Sequence, residues 1–291
     1  MNLNFIKKDK VVFGSPASAA GVRQVERKLI PQNFSQDYDK TPVPQKPSTV
    51  RIPVMLYHHV GPMPGSKGSR INNVTPEIFE KQLQYMQAKE YQTLSMDDYI
   101  KYLKSGKNPG QKSVLLTFDD GYIDNYTTVF PLLKKYEMVA TFFIPVNRTE
   151  ISEAQLREMS NAGMDIESHT MTHRSMTYIY SAKDWNYELL TSKSELERIT
   201  GKPVKALAYP YCVFNNGSMK FLNQKSPYEV AFRCNNPSGN SIDNTWYRRL
   251  EIFRTWQYDS LENQKDRLSG VEYRPNDPIP DDPNGYKIKA W

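Results

Sequence analysis

Asp119 and Asp120 stand side by side in the stretch Thr117-Phe118-Asp119-Asp120-Gly121, directly after the apolar run Val114-Leu115-Leu116. Adjacent carboxylates repel one another, and such a pair persists where a cation or a shared proton relieves the repulsion. Further along comes His169-Thr170-Met171-Thr172-His173. Two imidazoles four apart fall on one side of a helical turn, close enough to grip one metal ion. Together these residues read as a metal site of one carboxylate and two histidines, with a second carboxylate free beside it. A capped turn would account for the acidic pair alone and a surface turn for the histidines alone; the two motifs together favour the metal site. Its chemistry would be hydrolysis, in which an ion with an open position polarises a carbonyl and acidifies a bound water.

Such a site needs rigid elements beneath it, and the chain supplies alternating strand and helix signals. Ile52-Pro53-Val54-Met55-Leu56-Tyr57 is a short apolar run ending at His58-His59. Thr75-Pro76 supplies an N-cap and a proline for a helix striped by Ile78, Phe79, Leu83 and Met86. Ser95-x-x-Asp98 opens another helix that Gly106 closes, and Ser152-x-x-Gln155 caps one that runs to about Ala162. Val139 to Ile144 and Val204 to Tyr209 are strand-like, and a longer helix is expected from about Ser181 to Thr200. This alternation predicts an α/β protein with a parallel sheet. Seven or eight strands and no dinucleotide glycine fingerprint favour a (β/α) barrel, with the chemistry at the strand ends. His58, Asp119, Asp120, His169 and Tyr209 all fall at predicted strand ends.

Three segments follow from composition. Residues 1–48, with Pro31, Pro42, Pro44 and Pro47, read as an extension or linker; residues 49–257 as the folded domain that carries the motifs; residues 258–291, rich in Pro, Asp and Asn, as an irregular tail. The first twenty residues hold an apolar stretch too short for a signal peptide. The 291 residues carry 38 basic against 32 acidic side chains, a formal charge of +6 without a dense basic block, which disfavours nucleic acid as a partner. Mean hydropathy is -0.67 and no apolar run approaches the roughly 20 residues of a membrane span. Cys212 and Cys234, the only cysteines, permit one disulfide and demand none. The chain lacks a Gly-x-Ser-x-Gly elbow, a phosphate-cradling glycine loop and a Cys-x-x-Cys pair.

Thr-Phe-Asp-Asp-Gly followed by His-Thr-x-x-His resembles the first two motifs of the polysaccharide deacetylase family, also called the NodB-homology or carbohydrate esterase family 4 domain. The resemblance covers residues about 51 to 255 and implies a distorted (β/α) barrel of about seven strands. It also implies that Asp119 is the general base, and that Asp120, His169 and His173 hold a divalent metal, most often Zn2+, with Co2+, Ni2+ or Fe2+ as alternatives. Family members commonly take the leaving-group acid from a histidine late in the domain, yet no histidine follows His173 here. Tyr57-His58-x-Val60 resembles the subgroup that deacetylates poly-β-1,6-N-acetylglucosamine of biofilms, which implies His58 as the acid; a structural role is expected for His59. Tyr209-Pro210-Tyr211 is similar to the third motif, which implies a substrate-binding wall and a backbone N–H for the oxyanion. From the fourth motif an orienting partner for Asp119 is expected among Arg248, Arg249 and Glu251, chiefly Arg249 or Glu251. Trp246, Trp256, Tyr178 and Tyr180 are candidates for sugar stacking or, alternatively, for core packing.

The implied function is removal of N-acetyl groups from a biofilm β-1,6 polymer. Peptidoglycan or chitin-oligomer N-deacetylation, O-acetyl esterase activity and non-catalytic sugar binding stand as alternatives. An extracytoplasmic location is expected from that substrate class, and the positive charge would allow a peripheral association with the cell envelope.

Overall fold

A computed structural model describes residues 50–62, 72–225, 227–234, 243–244, 249–256 and 260–269. The expected extension over residues 1–48 lies outside the described residues, as do Trp246, Arg248 and the chain beyond residue 269. The side chain of Trp256 does too.

In chain order the first elements are β1 (Val50–Arg51), β2 (Val54–Tyr57), β3 (His59–Val60) and β4 (Asn73–Val74), then α1 (Pro76–Ala88), β5 (Gln92–Thr93), α2 (Met96–Ser105) and β6 (Ser113–Asp119). There follow α3 (Phe130–Lys135), β7 (Thr141–Ile144), α4 (Glu153–Asn161), β8 (Asp165–Ser168), α5 (Ala182–Trp185), α6 (Ser192–Thr200) and β9 (Ala206–Ala208). The last are α7 (Asn216–Lys225), β10 (Val230–Cys234), β11 (Asp243–Asn244), β12 (Ile252–Trp256) and α8 (Leu261–Ser269). Seven parallel strands close on themselves in the order β2-β6-β7-β8-β9-β10-β12, with β12 returning to β2. This is the (β/α) barrel expected from the alternation; β5 pairs on the outside of β6.

Both faces of β6 are buried, so its sequence is a continuous apolar run rather than an alternating one. Val114, Leu116 and Phe118 pack outward beneath the helices, alongside Phe79, Leu83 and Met86 of α1. Leu115 packs inward with Val54, Phe143, Ala206, Phe232 and Ile252. Asp119 shares the phase of Leu115, and Arg254 that of Ile252, so both point into the barrel. Met96, Tyr99 and Leu103 of α2 join the inner cluster and close the opposite mouth. The helix signals hold: Thr75, Ser95 and Ser152 cap α1, α2 and α4, and Ser152 with Gln155 makes a capping box.

Two differences have local causes. The helix expected over residues 181–200 contains a π turn at Asn186–Thr191 between α5 and α6, and another π turn, Asn125–Val129, precedes α3. Each turns a polar side chain inward, Glu188 in one and Asn125 in the other. The tail expected to be irregular from residue 258 instead forms α8 over residues 261–269. There Leu268 is buried, the Leu268 carbonyl accepts from Tyr91 Oη at 3.1 Å, and the Ser260 carbonyl accepts from Gln82 Nε2 at 3.1 Å.

Inside the lower barrel, Glu167 accepts from the backbone N–H groups of Lys205 and Ala206 at 2.8 and 2.7 Å. Its carboxylate replaces ladder bonds where β8 and β9 share the single register pair Ser168 and Leu207. Asp165, beside it, accepts from Met96 N–H at 2.7 Å, and burial pushes its carboxyl up to about 6. A carboxyl raised in the folded state contributes stability below its unfolded value, and that contribution is lost as pH rises through about 6. Asp165→Asn, which keeps the acceptor, is therefore expected to gain stability relative to the parent between about pH 4 and 6, by at most about 3 kcal/mol. Denaturant melts at several pH values check this, and a difference that does not vary with pH would refute it.

Candidate active site

The site sits where β6, β8 and β9 end, joined by residues from β2 and β12. Asp119 is the last residue of β6, and Asp120 follows with φ 74°. Gly121 has φ 62°, and a Cβ there would lie 2.5 Å from Thr149 Oγ1, so only glycine fits. Asp120, Thr170, His173, Tyr211 and Cys212 account for most of the non-glycine positive φ values among the described residues. Backbone strain is thus concentrated at this end of the barrel.

Asp120, His169 and His173 each aim one donor atom at a common point, all within 4.8 Å of one another. Asp120 Oδ1 is 3.4 Å from His169 Nε2 and 3.1 Å from His173 Nε2. His169 Nδ1 is 2.8 Å from the Ala208 carbonyl, which fixes the tautomer and leaves Nε2 for the shared point. The two histidines do not lie on a helical turn, as their spacing suggested. They bracket a tight loop with φ 70° at Thr170 and 59° at His173. Buried Glu188 holds that loop, accepting from Met171 N–H at 3.1 Å, Thr172 N–H at 2.9 Å and Thr172 Oγ1 at 2.5 Å. Two imidazoles and a carboxylate with an open side are a donor set that fits a divalent ion of the zinc type.

Asp119 stays outside the triad, with Oδ2 3.8 Å from His169 Nε2. Arg254, fully buried on β12, grips it with Nη1 2.6 Å from Oδ1 and Nη2 2.7 Å from Oδ2. Burial alone would raise the Asp119 carboxyl; Arg254, His169 and His58 outweigh it and hold the group below the usual carboxylate range. Burial likewise works to raise Asp120, while His169 and His173 pull it far below that range. The orienting guanidinium therefore comes from Arg254 rather than from Arg249 or Glu251. Glu251 is instead 3.9 Å from Arg233, and the Arg249 carbonyl accepts from Ala231 N–H at 2.8 Å. A signal was present in the sequence, since Arg254 is the one charge in Ile252-Phe253-Arg254-Thr255-Trp256.

His58 follows β2 and is buried beside Asp119, Asp120, His169 and Arg254. Burial pulls its pKa down, against the two carboxylates. Asn125 Nδ2 donates to the His58 carbonyl at 2.8 Å and steadies that strand end. His59 points elsewhere: Nδ1 is 2.7 Å from Asp124 Oδ2, and the ring stacks on Tyr122 at 3.5 Å between centroids.

Tyr122 in turn donates from Oη to Asp120 Oδ2 at 3.1 Å, and burial together with Asp120 raises its pKa, so it remains a phenol. This bond fixes the carboxylate oxygen that faces away from the shared point. Tyr122→Phe is expected to weaken binding of a divalent ion by about tenfold or more, the usual effect of removing such a partner. Competition with a chromogenic chelator reads it, and unchanged affinity would show that the phenol does not orient Asp120.

The third motif divides. Tyr209 does not line the site: its ring is fully buried and its Oη donates to the Leu250 carbonyl at 2.9 Å. Pro210 is buried beneath the loop. Tyr211 is 62% exposed, with its ring 4.8 Å from that of His173. Cys212 and Cys234 are joined in a disulfide that ties this loop to the end of β10. Tyr178 and Tyr180 are exposed rather than packed in the core.

Comparison with known proteins agrees with this geometry. The polysaccharide deacetylase family model matches residues 106–229. YxkH of Bacillus subtilis is 29% identical over 240 residues, 80% of this chain and 81% of that protein. The poly-beta-1,6-N-acetyl-D-glucosamine N-deacetylase of Staphylococcus epidermidis is 32% identical over 177 residues, 55% of this chain and 61% of that protein. Among solved structures, the Streptococcus pyogenes deacetylase PplD in complex with acetate superposes with a TM-score of 0.67 at 26% identity, covering 76% of this chain and 99% of that one. His58 and Arg254 fall outside the matched segment and reach it only because the barrel closes. Residues 106–229 thus match the polysaccharide deacetylase family, and the fold is similar to that of the deacetylase PplD.

Proposed function

We propose that this chain is a divalent-metal-dependent N-deacetylase of an N-acetylglucosamine polysaccharide, with the β-1,6-linked polymer as its preferred substrate. The observation that carries the reading is the convergence of Asp120, His169 and His173, with Asp119 on one flank and His58 on the other. The β-1,6 preference rests on likeness to the Staphylococcus epidermidis enzyme. Zn2+ is the proposed ion, on the strength of the donor set.

When bound, such an ion would supply Lewis acidity to the amide carbonyl and acidity to a water. The remaining work falls to the chain. Asp119 accepts the proton of the attacking water as that oxygen bonds to the carbonyl carbon. Arg254, bonded to both carboxylate oxygens, keeps Asp119 ionised and aimed. His58 donates a proton to the nitrogen as the amide C–N bond breaks, so that acetate and a free amine leave. A backbone N–H of the Tyr211 loop stabilises the developing oxyanion. The disulfide is consistent with an oxidising, extracytoplasmic compartment. The +6 charge suits loose association with an anionic envelope.

Acetate release from defined β-1,6 and β-1,4 N-acetylglucosamine oligomers, with O-acetylated sugars alongside, tests the proposal. The fastest turnover is expected on the β-1,6 series. Faster turnover of β-1,4 or O-acetylated substrates would overturn the substrate assignment, and no release from any of them would overturn the activity.

A further inference from the structure

Among the described residues, every large apolar or aromatic side chain that remains exposed lies on connections leaving the site end of the barrel. Ile123 follows β6; Tyr178, Tyr180 and Tyr187 follow β8; Tyr211 and Val213 follow β9. Exposed apolar side chains close to a site are candidates for contact with a ligand. These connections also carry Asp120 and His173.

The segment bearing Tyr178 and Tyr180 is anchored. These rings are 63% and 70% exposed, yet Ile179 between them is 2% exposed and Met176 is fully buried. Arg174 Nη2 donates to the Tyr178 carbonyl at 2.7 Å. Asn215 Nδ2 donates to the Met176 carbonyl at 3.3 Å, which joins this segment to the loop of Tyr211, whose ring touches His173. On another side, Tyr187 Oη accepts from Asn147 Nδ2 at 3.0 Å, and Asn147 N–H donates to the Met171 carbonyl at 2.9 Å, inside the histidine loop. Hydrogen bonds thus link the segments bearing Tyr178 and Tyr187 to the site loops, and the fold exposes Tyr178 and Tyr180 while burying Met176 and Ile179.

We propose that Tyr178 and Tyr180 form a remote subsite on which pyranose rings of the glycan stack, so that several consecutive sugars are gripped while one is deacetylated. This rests on the N-deacetylase reading above. Most of the exposed set is tyrosine, which offers a flat apolar face with a polar tip and suits a sugar's C–H face and hydroxyl rim. A protein partner or second copy of this chain seated on the same face would cover His173 and shut substrate out.

The test is the double variant Tyr178→Ala/Tyr180→Ala, assayed for acetate release from β-1,6 N-acetylglucosamine oligomers of increasing length. The parent KM is expected to fall as the oligomer lengthens, and the variant to lose that dependence. On the longest oligomers its KM should be about tenfold higher with kcat little changed, since stacking away from the reacting bond binds ground and transition states alike. Tyr178→Phe/Tyr180→Phe should restore the dependence. Calorimetric binding of the same oligomers, made in an Asp119→Asn background, separates this idea from the activity. Affinity that grows with length and is lost on removing the tyrosines supports the subsite even if no acetate is ever released. Affinity independent of length, or unchanged in the double Ala variant, overturns it. So does a parent dimer that dissociates in the variant by light scattering, which would make this face a contact between copies.

Discussion

Asp119→Asn is expected to lower acetate release by about 10²- to 10⁴-fold, the usual contribution of a positioned base. Bound divalent ion should be retained, because Asp119 stands outside the triad of Asp120, His169 and His173. The substitution is nearly isosteric and leaves an acceptor for one arm of Arg254, so the protein should fold. His169→Ala should behave differently, losing ion and activity together. Metal content and turnover, measured side by side on the two variants, separate base from ligand. Full activity in Asp119→Asn would refute the assigned base.

Arg254→Leu should have the largest effect on stability. Arg254 is fully buried and Asp119 is 2% exposed, so removing the guanidinium strands a carboxylate in the barrel. Breaking a buried pair from one side costs about 3–5 kcal/mol, mainly through the charge left unpaired. The sign of the pH dependence follows. In the parent, the pair holds the Asp119 carboxyl down, so its contribution to stability is present above the unfolded carboxylate value and lost in acid. The variant's deficit should therefore be greatest near neutrality and shrink as pH falls. Replacing both partners, Asp119→Leu/Arg254→Leu, should recover most of the loss, because no charge is then buried alone. Urea unfolding of the three variants reads this cycle. A double variant no more stable than Arg254→Leu would show that the lost guanidinium mattered through packing, including its contact 5.4 Å above the Phe143 ring.

Much of the site was legible in sequence because its parts are contiguous. Asp119 and Asp120 share one strand end and His169 and His173 share one loop, so residue type and spacing were enough to find them. What spacing could not show was how the histidines meet, since Glu188 in a π turn holds their loop from outside. Arg254 was missed for a topological reason: it lies 135 residues from Asp119 and reaches it only through barrel closure by β12 and β2. Tyr209 was misplaced because a strand end does not by itself say which way a side chain points; its phase sends it under the loop to Leu250, and Tyr211 takes the exposed position. The helix α8 carries only Leu261 and Leu268 as apolar signals, too sparse to stand out before a tail rich in proline. The strand and helix alternation was strong enough to give the barrel, because β6 is buried on both faces and α1, α2 and α4 open on capping residues.

Removing and restoring the metal separates a metal-dependent enzyme from a metal-free one. The protein is dialysed against a strong chelator, and Zn2+ is then titrated back while bound ion and acetate release from a β-1,6 N-acetylglucosamine oligomer are followed together. Metal dependence requires that activity vanish with the ion and return in proportion as a single site per chain fills, with no recovery in His169→Ala. Undiminished acetate release from the metal-free protein would contradict it.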